Sequence, residues 1–128
     1  MRKATGVGLV AALAVGSAIT VVAIASQKID PNMDPVKVAP NEFTERLNND
    51  KVRVVEYRSK PGAKEPMHSH PALLLIVING GTYRTTSPDG KVTDTVYKGG
   101  EVLWRGPVTH SGENVGNTEL HDFLIEVK

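Results

Sequence analysis

Apolar residues recur at every second position in short runs along this chain, and clusters of turn-forming residues separate the runs. Phe43, Glu45 and Leu47 share one side of a short extended segment, with a short helix over 41–48 as the competing reading, before Asn48-Asn49-Asp50 offers a turn. Lys51 to Arg58 reads as a strand, because Val52, Val54 and Val55 fit a pleated surface, and Pro61-Gly62 breaks it. Leu73 to Ile78 is a continuous apolar run stopped by Asn79-Gly80-Gly81. Tyr83–Thr86 and Val92–Tyr97 flank Ser87-Pro88-Asp89-Gly90, a turn sequence in which proline presets φ and glycine allows the reversal. Lys98-Gly99-Gly100 turns again, Glu101–Arg105 makes a further strand, and Leu120–Val127 closes the domain. With no amphipathic helical period anywhere, the pattern predicts an all-β barrel or sandwich.

The N-terminus follows a different pattern. Met1-Arg2-Lys3 is a short basic start, and Ala4 to Ala25 contains no charge and is rich in Ala, Val and Gly. Small residues at Ala23 and Ala25 suit a signal peptidase, so residues 1–25 read as a signal peptide cleaved after Ala25. The alternative is an uncleaved N-terminal membrane anchor, because the run is just long enough to span a bilayer. Either reading places the remainder outside the cytoplasm, periplasmic or secreted. Residues 26–40 carry Pro31, Pro35 and Pro40, each lacking a backbone donor, and are expected to form an extended or irregular linker. Residues 41–128 then form the single folded domain that 128 residues allow.

Composition narrows the chemistry. The formal net charge is +1, and Arg2 and Lys3 with no nearby acid leave the rest at −1, which argues against a nucleic-acid or anionic-lipid binder. The chain has no Cys, so thiol nucleophiles, disulfides and Cys-ligated metal are excluded. Histidine, carboxylates and hydroxyls remain.

His68 and His70 are two apart, so on a strand both imidazoles leave the same face, as a divalent metal with ligands at about 2.0–2.2 Å requires. Two surface histidines beside a proline would look the same in isolation. The wider spacing is more specific. Gly62, five residues, His68, one residue, His70, three residues, Leu74, six residues and Gly81 resemble the first motif of the cupin superfamily at every fixed position but one, where Leu74 replaces a glutamate. Gly99, His110 and Asn114 stand at the spacings of the second cupin motif, while Arg105 and Pro107 replace its proline and glycine. The resemblance covers roughly residues 50–128 and implies a double-stranded β-helix, or jelly-roll barrel, with a metal inside it held by His68, His70 and His110. The implied cofactor is a divalent transition metal, Fe, Mn, Ni, Zn or Cu. Three neutral imidazoles would leave the ion its full charge and open positions for an anionic ligand.

Around that core several residues are candidates for the cavity mouth or for contacts to the ligands: Arg105, Tyr83, Trp104 and Glu113. His121, between Leu120 and Asp122, faces either the barrel or solvent. Asn114 reads as a turn-holding residue, and Gly62, Gly81 and Gly99 as backbone reversals. Two functions stay open: a metal-dependent dioxygenase acting on a small anionic or enolisable compound, and a non-catalytic metal or small-ligand binding module. An accessible cavity with a polar group near the ligands favours the first; Leu74, Ile76 and Leu103 filling the barrel would favour the second. Counting parity from His68 and His70 sends Ala72, Leu74, Ile76 and Ile78 inward and Leu73, Leu75 and Val77 outward. Such an apolar outer stripe needs a cover, either the N-terminal segment around Val36–Leu47 or a second subunit, and the second is preferred, which predicts a homodimer.

Overall fold

The β-branched residues around Val54 set one long strand, and its pairing with the last strand of the chain builds the larger of two sheets. A computed structural model describes residues 29–128. Within them the strands are β1 (Phe43–Asn48), β2 (Val52–Ser59), β3 (Lys64–His70), β4 (Leu73–Asn79), β5 (Gly81–Thr86), β6 (Val92–Tyr97), β7 (Val102–Arg105), β8 (Val108–Asn114) and β9 (Leu120–Val127). They form a five-stranded sheet in the order β1-β2-β9-β4-β7 and a four-stranded sheet in the order β3-β8-β5-β6. All neighbours are antiparallel. The sheets enclose an apolar core in which Val55, Val77 and Leu120 are fully buried beside Phe43, Tyr57, Leu75 and Leu124. Each such side chain contributes about 1.5–3 kcal/mol on leaving water. The all-β barrel expected from the turn pattern is the observed architecture. Among the described residues no helix is long and apolar enough to cross a membrane. The proposed signal peptide, 1–25, lies outside the described residues.

The segment expected to be an extended or irregular linker is instead locally helical from Pro31 onward. Asp30 caps a 3-10 turn, Pro31–Met33, and Asp34 caps a four-residue helix, α1 (Pro35–Val38). Both prolines sit at the first helical position, where no backbone donor is needed and the fixed φ is already helical. The aspartate before each proline makes the difference, because its carboxylate accepts the backbone N–H two residues on, of Asn32 and Val36, and starts the turn. Pro35 and Ala39 are buried, so this segment packs on the domain.

β1 is a strand, not the competing helix, but a bulge between Glu45 and Leu47 breaks its alternation. Only Phe43 is buried and Leu47 is exposed. β8 was not apparent in the sequence, since Ser111-Gly112-Glu113-Asn114 has no apolar stripe; its register against β3 and β5 makes it a strand.

The largest correction concerns β4. Leu73, Leu75 and Val77 are buried inside, and Leu74, Ile76 and Ile78 face outward, the reverse of the parity count. His70 ends a strand of one sheet and Leu73 begins a strand of the other. Pro71-Ala72 between them resets the phase of alternation, so parity cannot be carried across. An outward apolar stripe nevertheless exists, made of other residues. Leu47, Val54, Ile125, Leu74 and Trp104 oppose one another in register across all five strands. Phe123, Ile76 and Val102 form the next row. Trp104 and Val102 are 61% and 59% exposed.

Candidate metal centre

His68 and His70 alternate on β3, and the β3–β8 register sets His110 directly opposite His68. The ring centroids of His68 lie 4.8 Å from those of both His70 and His110. One nitrogen from each ring lies within 4.8 Å of the other two. Ion bonds of about 2.0–2.1 Å allow two ligand atoms to be at most about 4.2 Å apart, so small ring rotations close the set. Phe43 packs its ring against His68 and His70 from β1 and restricts those rotations.

The donor chemistry fits a metal. His68 Nδ1 is 2.7 Å from the Pro66 carbonyl. A carbonyl only accepts, so Nδ1 carries the proton and Nε2 presents a bare lone pair. That Nε2 and the Nε2 of His110 are buried and have no hydrogen-bond partner among the described residues. Buried polar atoms are rarely left so, and an ion satisfies both. Burial also holds the rings neutral, the form that binds metal. It pushes the His68 imidazole down to about 4, with His70 adding a smaller like-charge effect, and the His110 imidazole down to about 3. Water is excluded from these two rings, so protons compete for them only well below the usual histidine range near about pH 6.5.

His70 and His110 open on a cavity of about 270 Å³ lined by Leu73, Leu75, Leu124 and Val108, with Tyr57, Arg105 and Asp122 as polar groups, while His68 is fully buried behind them. Leu74, at the position of the missing glutamate, faces outward, and the inward β4 residues beside the histidines are leucines. β4 supplies no ligand. Arg105 lines the cavity and donates to the Tyr97 hydroxyl at 3.0 Å. Tyr83 also lines it. Trp104 is exposed on the outer face, and Glu113 is turned toward Lys64 at 3.6 Å, so neither reaches the cavity lining. His121 faces outward, where its Nε2 meets Glu56 at 2.8 Å. Asn114 is a structural residue as read: it is fully buried and donates to the carbonyls of Ser59 and Thr118.

Solved structures resemble this fold. A cupin domain from Bordetella pertussis Tohama I is 26% identical over 67% of this chain and 91% of its own, with a TM-score of 0.62. A protein from Klebsiella pneumoniae with a double-stranded β-helix domain matches at 22% identity and TM-score 0.54, covering 70% of this chain and 79% of its own. An RmlC-like cupin family protein from Methanocaldococcus jannaschii matches at 20% and 0.53, covering 66% and 77%. The chain belongs to the cupin superfamily. No family model and no curated protein matches it. In this cupin the β3–β8 pairing brings His68, His70 and His110 together, while Gly62 and Asn114 meet at the far end of the same two strands.

Three buried carboxylates of this cupin stand outside the motif residues. Glu65 on β3 accepts hydrogen bonds from the Tyr57 hydroxyl at 2.7 Å and the Tyr83 hydroxyl at 3.0 Å. Glu126 and Asp122 on β9 each keep one oxygen, Oε1 and Oδ1, buried with no partner among the described residues. The alternation Leu120, Asp122, Leu124, Glu126 was the available signal: acids at inward parity on an apolar strand.

Burial pushes the Asp122 carboxyl up to about 7. The folded form then binds a proton that the unfolded chain releases near pH 4, so Asp122 costs stability increasingly as pH rises from about 4 to about 7. Asp122→Asn should therefore be more stable than the parent at pH 8 and lose that advantage as pH falls toward 4. Urea unfolding at several pH values checks this. A difference that does not change with pH would count against a buried, uncompensated carboxyl.

Proposed function

We propose that this cupin is a metal-dependent enzyme of the dioxygenase type, acting outside the cytoplasm on a small anionic or enolisable compound. One observation carries the reading: bare, neutral imidazole nitrogens converge beside a cavity that also holds an unpartnered carboxyl, Asp122. His68, His70 and His110 would hold the ion, and a divalent ion so held supplies charge stabilisation to an anionic substrate and positions for small ligands. Apolar walls from Leu73, Leu75 and Leu124 exclude water from a bound compound. Arg105 at the lining offers a cation to a substrate carboxylate or enolate, and its bond to Tyr97 limits its swing. Asp122 is placed to accept or return a proton inside the cavity. Of the three residues whose packing would have argued for a mere binding module, Leu74 and Ile76 point away from the cavity, while Leu103 packs against the core. Location outside the cytoplasm rests on the uncharged run Ala4 to Ala25 behind Arg2-Lys3.

The experiment is metal analysis of the protein purified without a histidine tag, followed by oxygen uptake with a panel of diketones and enediols. Stoichiometric Fe, Mn, Ni, Zn or Cu with turnover that falls in Asp122→Asn supports the enzyme. Stoichiometric metal without oxygen uptake from any compound favours the non-catalytic binding module.

We also propose that the protein is a homodimer through the outer face of the five-stranded sheet. Leu74, Ile76, Val102 and Trp104 lie together there, and a half-solvated antiparallel sheet would ordinarily present polar side chains. Residues 26–128 should sediment as a dimer at micromolar concentration, and Trp104→Glu or Ile76→Lys should give a folded monomer. A wild-type monomer, or substituted chains that remain dimeric, would refute this.

A further inference from the structure

The third histidine has its own buried acid. His70 Nδ1 and Glu126 Oε1 face each other at 3.9 Å, both side chains nearly inaccessible at 4% and 6% exposure. Neither atom has a hydrogen-bond partner among the described residues. Two buried polar groups that lack partners and stand just beyond bonding distance gain from closing the gap. With Nδ1 turned to Glu126, Nε2 is the nitrogen that His70 has left for the cavity its ring lines.

Glu126 is itself anchored. Its other oxygen, Oε2, lies 3.5 Å from Arg53 Nη1. Arg53 is in turn held by both oxygens of Asp34 at 3.1 Å and by Glu45 at 2.7 Å. The register explains the placement: Glu126 on β9 opposes Arg53 on β2 and Leu73 on β4, at the end of the barrel where β3 delivers His70. Asp34 also caps α1, so the segment before β1 is tied through Arg53 to the metal centre.

We propose that Glu126 is a positioning residue of the centre, accepting the Nδ1–H of His70 and so fixing the ring with Nε2 toward the ion. A carboxylate in that place selects the tautomer, sets the ring angle and raises the basicity of the ligating nitrogen. Arg53 keeps the carboxylate from turning away. The inference rests on the three-histidine reading of the site and adds to it a residue that the sequence motifs do not contain.

The test is titration of the metal-free full chain with Zn²⁺ against a chelator, for the wild type and for Glu126→Gln, Glu126→Leu and His70→Ala. Nitrogen-15 spectra of the imidazoles are recorded on the zinc-loaded proteins. Losing such a partner should weaken zinc about 10–100-fold. Glu126→Gln is expected to weaken binding at least about tenfold and to move the His70 Nδ1–H resonance away from its carboxylate-bonded position. Glu126→Leu should weaken binding further and expose that proton to exchange. Should the leucine variant fail to fold, Glu126→Gln, which keeps the size and an acceptor for Arg53, decides alone. Zinc affinity in Glu126→Gln within about twofold of the wild type, or weakened affinity with an unmoved His70 resonance, overturns the role of Glu126. If His70→Ala loses zinc in that same case, the three-histidine reading survives. If the wild type itself binds no zinc, both fall together.

Discussion

Replacing His68, His70 or His110 by alanine is expected to remove most bound metal in each case, while His121→Ala leaves it in place. The three residues contribute nitrogens within 4.8 Å of one another, and those of His68 and His110 have no other use in the fold. β4 supplies leucines beside them, so no neighbouring side chain on that strand takes over a lost position. Loss of an outer-shell partner alone costs about 10–100-fold in affinity, and loss of a ligand from a set of three should cost at least about 100-fold. His121 is different in kind, because its ring is on the outer face and occupied by Glu56. Elemental analysis after dialysis, with circular dichroism to verify folding, makes the comparison. Stoichiometric metal in His110→Ala would overturn the three-histidine centre.

Gly112→Ala should be among the most destabilising single-methyl changes available in this chain. Gly112 is buried on β8, opposite Glu65 on β3 and Thr85 on β5. A Cβ there would overlap both the Tyr83 hydroxyl and the Glu65 carboxylate. Those are the partners of an interior network in which Glu65 takes the hydroxyls of Tyr57 and Tyr83. Overpacking costs typically 1–3 kcal/mol, and a buried acceptor stripped of its donor costs about 1–3 kcal/mol more, so a loss of roughly 3–5 kcal/mol is expected. Total stabilities of such domains are only about 5–15 kcal/mol, and the midpoint of thermal unfolding should fall by roughly 12 °C or more. Thermal and urea unfolding of the metal-free protein measure it. Tyr83→Phe removes one of the three overlapped atoms and leaves the ring carbon Cζ, 2.5 Å from the added Cβ, so the double substitution should recover only part of the loss. A Gly112→Ala protein within about 0.5 kcal/mol of the parent would show that the network can shift without cost.

Much of the strand content was legible because antiparallel strands with short turns are local objects. Ser87-Pro88-Asp89-Gly90 becomes the tight connection between β5 and β6, with Gly90 at φ +87, and Leu120–Val127 is a strand over the whole span read from its residues. The histidines were legible for a related reason. A two-residue spacing on a strand needs no tertiary information to place His68 and His70 on one face. His110, forty positions beyond His70, was reached through the resemblance to the second cupin motif, not through the strand period.

What escaped was whatever depended on which sheet a strand joined. The Asp30-Pro31 and Asp34-Pro35 pairs before β1 are a separate case, local capped turns whose signal is the aspartate before each proline. Leu74 was read as inward and Leu75 as outward, because alternation was counted through Pro71-Ala72 as if the chain stayed in one sheet. Alternation has a period but no origin; only the core sets which set of residues is inside. For the same reason the sequence by itself determined the all-β class and a three-histidine candidate set, whose periods and spacings are properties of the chain. The tertiary structure alone decided that the leucines at 73 and 75 wall the cavity and that Trp104 and Ile76 form the outer stripe. It alone also brought Asp122 and Glu126, more than fifty residues beyond His70, to that residue's end of the barrel, since only the register of β9 against β2 and β4 fixes where an inward acid arrives.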